Sequence, residues 1–180
     1  MRYIDYKNAD KALQEQVWGL YEGSFPACEK RSYPAFITAT SDARFNAKVI
    51  LNDGGNLAAI LFYWLADNML YVEHLAVNPV MRGENIGSTV LKELIKTYKN
   101  HVIILEIDPP VDEISIRRLN FYERVGFVSN DYHFIHPSFA VGEKAQPHKL
   151  VILTYGKTIS PEEFGAFKEL LKNVALKYID

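Results

Sequence analysis

From Glu73 to Ser88 the chain reads Glu-His-Leu-Ala-Val-Asn-Pro-Val-Met-Arg-Gly-Glu-Asn-Ile-Gly-Ser, an apolar strand stopped at Pro79 and carried into a helix by a tight loop. Ile86, Val90, Leu91, Leu94, Ile95 and Tyr98 then recur at helical spacing, and residues 101–107 read as a buried strand ended by Asp108-Pro109-Pro110. A strand, a helix and a second strand in this order, over residues 69–107, require a crossover unit. Such a junction also points free backbone N–H groups outward at a helix N-terminus, where partial positive charge favours a phosphate. Gly83 and Gly87 let the backbone approach an anion, and Arg82 adds a cation. A plain strand-to-helix turn accounts for the same residues equally well.

The remaining elements fall around this unit. Residues 2–6 read as a short strand, and Leu13, Val17, Leu20 and Tyr21 mark an amphipathic helix from Ala9 to about Phe25. A short second helix is expected near Pro34. Residues 45–51 and 57–66 read as strands joined by Asn52-Asp53-Gly54-Gly55-Asn56, the second of them apolar on both faces and so central. After residue 107 a helix runs to Val125 and ends at Gly126; residues 128–135 and 149–155 read as strands around a loop with Pro137, Gly142 and Pro147. Ser160-Pro161-Glu162-Glu163 opens a last helix, expected over 160–179, with Phe164, Phe167, Leu170, Leu171, Val174 and Tyr178 on its apolar face. The outcome is an α/β (α+β) chain of one domain, residues 1–180, with a mixed sheet of about seven strands flanked by helices.

Composition narrows the class of function. A net charge of −2 with no basic run argues against a nucleic-acid partner. The single cysteine, Cys28, allows no intrachain disulfide and fits a reducing compartment. The N-terminus lacks the apolar run of a signal peptide, and no stretch reaches the ~18 apolar residues of a membrane span. No membrane partner and a cytoplasmic location are the expectation.

The phosphate loop lacks the lysine of a P-loop and the three glycines of a dinucleotide fingerprint. What stands is Arg82-Gly-x-Asn85-x-Gly87, and downstream, after one more strand, Tyr122-x-x-x-Gly126-Phe127. Together, in this order, these segments resemble the acetyl-CoA loop and the later helix ending of the GCN5-related N-acetyltransferase (GNAT) superfamily. Arg82 and Gly87 match the ends of the family's Arg/Gln-x-x-Gly-x-Gly/Ala pattern. Asn85 replaces its middle glycine, and asparagine is the residue next best suited to a left-handed backbone. The resemblance covers roughly residues 45–155 and leaves the final helix as an addition.

The resemblance implies a largely antiparallel sheet with splayed central strands and acetyl-CoA as cosubstrate, without a metal. The acetyl group would pass to a primary amine of a small molecule or peptide by direct attack in a ternary complex. It assigns pantetheine contacts to the backbone of Leu75, Ala76 and Val77. Pyrophosphate contacts fall to the amides of Arg82, Gly83, Glu84, Asn85, Ile86, Gly87 and Ser88. Ser115 stands where many members carry an asparagine toward the cofactor, and Arg117 and Arg118 fall within reach of a 3′-phosphate. Tyr122 is the candidate acid for the leaving thiolate, or else a packing aromatic. Glu73 is the candidate general base, or else an ion-paired structural carboxylate. Strand alternation puts Tyr71, Glu73, Leu75 and Val77 on one face and His74 on the other. Tyr21, Phe25, Tyr33, Tyr132 and Phe134 are candidate cleft aromatics, and His133 with His136 make a poor metal pair. Two other readings stay open: a non-catalytic acyl-CoA-binding or regulatory module, and a homodimer formed through the terminal helix.

Overall fold

The computed structural model describes residues 1–139 and 147–179. Its strands are β1 (Arg2–Asp5), β2 (Phe45–Leu51), β3 (Leu57–Ala66), β4 (Met69–Val77), β5 (Val102–Ile107), β6 (Phe127–Ser129), β7 (Phe134–His136) and β8 (His148–Tyr155). Its helices are α1 (Lys11–Ser24), α2 (Tyr33–Ala39), α3 (Ile86–Thr97), α4 (Glu113–Val125) and α5 (Pro161–Asn173). The strands lie in the order β1-β2-β3-β4-β5-β8-β6, with β7 also on β8. Among the described residues only β4 and β5 run parallel, joined by α3 as the sequence requires. All other pairs are antiparallel.

Two cores form because β3 is apolar on both faces. Ile60, Phe62 and Trp64 pack with Val17 and Tyr21 of α1, Phe36 of α2 and Phe167 of α5. Ala59, Leu61 and Tyr63 point the other way, toward Val90, Leu91 and Leu94 of α3. The α5 helix, capped by the reciprocal Ser160–Glu163 box, is therefore a wall of the first core. Its apolar face packs on this chain's own sheet: Phe167 is buried and its ring lies 5.4 Å from Tyr71.

Two expectations change at the C-terminal end. The single strand expected at 128–135 is two short strands, β6 and β7. Between them Asn130 is buried, its side chain donating to Thr154 Oγ1 (2.8 Å) and accepting from the Ile159 N–H (2.9 Å), so the chain turns inward there. The final helix stops at Asn173 and gives way to a 3-10 turn, Ala175–Lys177, after which Tyr178 stacks on Trp64 at 5.8 Å. Of the expected loop after His136, residues 140–146, Gly142 among them, lie outside the described residues. No helix among the described residues is long and apolar enough to cross a membrane.

Candidate active site

The site begins where two strands part. The β4–β5 ladder ends at the pair Val72–Leu105, leaving residues 73–77 of β4 without a strand partner on that edge. At the same place β4 bulges against β3: Tyr63 pairs with Val72 and Phe62 with His74, so Glu73 is the extra residue. A bulge of one residue resets side-chain alternation. The expected sharing of one face by Glu73, Leu75 and Val77 is thereby overturned. Glu73 and His74 lie side by side, Oε1 3.3 Å from Nδ1, on the α1 side, whereas Leu75 and Val77 pack with the opposite core.

Glu73 is held by three donors. Arg31 donates from Nε (3.2 Å) and Nη2 (2.5 Å), and Trp64 donates from Nε1 (2.6 Å). Arg31 in turn donates from Nη1 to the Tyr178 carbonyl at 2.7 Å, with Phe139 under its guanidinium at 4.6 Å. Both side chains are essentially sealed from solvent, at 0% and 1% exposure. Burial alone would raise the Glu73 carboxyl, but the Arg31 charge and the His74 contact bring it down to about 2. A carboxylate that acidic is a weak proton acceptor beside an ammonium whose pKa is ~10.4. Glu73 is therefore ion-paired in the fold, which favours the structural carboxylate of the two readings over the general base.

Two clefts meet beside this pair. One, of about 380 Å³, is lined by Phe25, Glu29, Glu73, Glu106, His136 and Phe139 among others. The other, of about 640 Å³, runs along Gly83, Asn85, Gly87, Ser88 and Phe121. Leu75, Val77, Arg82, Arg118 and Tyr122 line both. Tyr122 therefore stands at the junction, with burial pushing its hydroxyl up to about 12 and the Arg118 charge opposing that. A phenol kept protonated there has a proton to give.

The loop takes the shape its residues predict. Asn85 adopts the left-handed conformation (φ 57°) at the start of α3, and no side chain caps that end. The first amides of α3 thus keep their hydrogen-bonding capacity for an anion. At Gly87 the space is tight, since a Cβ there would lie 3.3 Å from the Phe121 ring and 3.4 Å from Val77. Asn85→Ala should cost about 1 kcal/mol in chemical denaturation, while Asn85→Gly should stay within about 0.5 kcal/mol of the parent.

Other expected residues have other work. Ser115 Oγ is engaged in the α4 capping box, accepting from the N–H groups of Val111 and Asp112, and Ser115 lines neither cleft. The hydroxyl expected to face the cofactor thus has structural partners at the start of α4. Glu84 is exposed and does not line the 640 Å³ cleft. Arg117 pairs with Glu113 on the solvent side, and Arg118 pairs with Asp108 at 2.6 Å. Of the aromatics, Phe25 lines the smaller cleft, while Tyr132 stacks on Phe164 at 4.1 Å. His136 lines that cleft and His133 is exposed; no group of three metal-ligating side chains occurs among the described residues.

Sequence reasoning passed over Arg31 and Glu106, and placed Tyr71 on a strand face without a role. The signal for Glu106 was available: one acid inside the apolar run Val-Ile-Ile-Leu-Glu-Ile. Arg31 gave none, being separated from Glu73 by 42 positions.

The family model described as "Acetyltransferase (GNAT) family" matches residues 11–127. A Bacillus subtilis (strain 168) protein, "Putative acetyltransferase YjbC", is 33% identical over 121 residues, 64% of this chain and 60% of that protein. The aligned part thus spans less than two thirds of that relative's length. A solved structure from Bacteroides thetaiotaomicron, "Putative acetyltransferase from GNAT family", superposes with a TM-score of 0.86 at 25% identity, covering 98% of each chain. The spermidine N-acetyltransferase from Vibrio cholerae in complex with CoA and spermine shares the fold at a TM-score of 0.62 and 13% identity, over 87% of this chain and 96% of that one.

Proposed function

We propose, for a chain that belongs to the acetyltransferase (GNAT) family, that it moves an acetyl group from acetyl-CoA to a primary amine of a small molecule or peptide. Acetyl-CoA supplies the activated acyl group. The larger cleft suits its pyrophosphate, held by the amides of residues 82–88 and by Arg82, and the free edge of β4 at Leu75, Ala76 and Val77 suits its pantetheine arm. The smaller cleft, with Phe25, Phe139 and several carboxylates, suits the amine. Residues 1–180 act as one domain in this reading. The complex of a fold relative with CoA and spermine supports both the donor and an amine acceptor.

The observation that carries the reading is Tyr122 lining both clefts at their junction. From there its hydroxyl can protonate the departing sulfur while the amine approaches from the other side. Tyr122→Phe should lower turnover by about 10²-fold, the low end of general-acid effects because a CoA thiolate leaves readily, with acetyl-CoA binding kept. Thermal-shift titration with acetyl-CoA and thiol-release assays with primary amines check both halves. A protein that is neither stabilised by acetyl-CoA nor releases thiol with any amine would refute the proposal. Binding with no turnover for any amine would favour the non-catalytic module.

A further inference from the structure

With Glu73 locked in its ion pair, the site needs another group to receive the proton that an ammonium must lose before it can attack. Glu106 follows Leu105, the last β5 residue paired with β4, and so sits in the mouth of the splay. Its side chain is 5% exposed. The Tyr71 hydroxyl donates to Oε2 at 2.9 Å, and Oε1 has no hydrogen-bond partner among the described residues. A buried carboxyl oxygen left without a donor is costly unless a ligand supplies one. The same residue lines the cleft that Tyr122 lines.

We propose that Glu106 takes the proton of the acceptor's ammonium group at Oε1, and is the second catalytic residue of the site beside Tyr122. This rests on the amine-acetylation reading above. The N–H bond of the ammonium breaks, its proton goes to Oε1, and the electron pair stays on nitrogen. That pair forms the bond to the acetyl carbon, and the C–S bond breaks with its pair on sulfur. Sulfur takes the Tyr122 proton, and the surplus proton on the new amide nitrogen restores Tyr122. The charges of the ammonium and the carboxylate cancel, and the products are amide, thiol and neutral Glu106.

The surroundings suit a carboxyl working near neutrality. Tyr71 and the Arg31–Glu73 pair face it from the β4 side, Glu29 from the turn before α2, and His136 from β7, with Nε2 3.7 Å from Oε2. Burial, with the nearby Glu73 and Glu29 charges, raises the Glu106 carboxyl to about 8 against the Tyr71 hydrogen bond. An entering ammonium supplies the donor that Oε1 lacks and favours the ionised form. Asp108, the other acid of this wall, is already paired with Arg118.

The test compares the parent, Glu106→Gln and Glu73→Gln proteins by thermal shift with acetyl-CoA and by thiol release from acetyl-CoA with spermidine and with lysine across pH. The parent's kcat/KM should rise as pH increases through about 8. Glu106→Gln should lower it by about 10²–10³-fold near neutrality and remove the inflection near 8, leaving only a rise that continues toward the amine's own ~10.4, with stabilisation by acetyl-CoA unchanged. In Glu73→Gln an inflection from Glu106 should persist. An unchanged pH profile in Glu106→Gln would overturn the assignment while leaving the amine-acetylation reading standing. A parent that acetyl-CoA does not stabilise and that releases no thiol would overturn both. If acetyl-CoA binds but neither amine is accepted, infrared titration reads the carboxyl directly. A protonated-carboxyl band lost near pH 8, absent in Glu106→Gln and diminished at pH 7 by added spermidine, supports the proposal; no such band, or no response to spermidine, overturns it.

Discussion

Replacing Arg31 with alanine should lower the melting temperature by roughly 6–20 °C, the equivalent of about 3–5 kcal/mol in a chain of this size. The reason is asymmetric. The guanidinium satisfies both Glu73 oxygens and the Tyr178 carbonyl in a buried region, so its removal leaves a buried carboxylate without its counter-charge. Trp64 Nε1 remains as a donor, but one neutral hydrogen bond does not offset a buried charge. The double replacement Arg31→Met with Glu73→Gln should recover much of the loss, because no charge is then left unmatched. Thermal melts of the two single variants and the double variant form a cycle that isolates the pair. A loss below about 1 kcal/mol in Arg31→Ala, the level of exposed pairs, would mean that water reaches Glu73 in solution.

Glu106 should make the protein less stable as the solution becomes more alkaline. Its carboxyl stands at about 8 in the fold, against an ordinary 4.5. Between those values the folded chain holds a proton that the unfolded chain has released, so stability falls as pH rises through the window and levels above it. At ~1.4 kcal/mol per unit the window amounts to about 3–6 kcal/mol. His136 acts in the opposite sense: burial and the neighbouring His148 lower it to about 4, so stability rises with pH from there to its ordinary 6.5. Glu73, depressed to about 2, contributes stability present above 4.5 and lost as pH falls toward 2, outside the Glu106 window. The difference between parent and Glu106→Gln isolates the group. Urea denaturation at pH 5 and pH 8 should show the variant gaining at the higher pH by a few kcal/mol. Parallel curves would place Glu106 in contact with water and ionised throughout.

The sequence made the shape of the 82–88 loop legible because its geometry is local. Asn85 and Gly126 take positive φ angles (57° and 106°) where their residue types alone suggested it, and the β4–α3–β5 crossover follows from apolar runs and their punctuation. The α2 and α5 starts were equally local, set by Ser32 with Pro34 and by Ser160 with Glu163. The role of Glu73 was not legible, since it depends on which residue of β3 sits opposite it. The bulge is a fact about two strands, and period-two reasoning on β4 alone sent His74 to the wrong face. Ser115 has a local partner that family position does not reveal: Asp112, three residues earlier, makes it half of a helix cap. Whether the split at Asn130 could be seen in advance turned on Thr154 and Ile159, over 20 positions away.

The tie between Arg31 and the Tyr178 carbonyl sets an order of events during synthesis. Arg31 and Glu73 leave the ribosome long before residue 178, which supplies the third acceptor around that guanidinium and the ring stacked on Trp64. The strand that borders both clefts is therefore completed by almost the last described residue to be made. A nascent chain that has not yet released residue 178 has most of its sheet, but its Arg31–Glu73 pair lacks that carbonyl acceptor and Trp64 lacks its stacked ring.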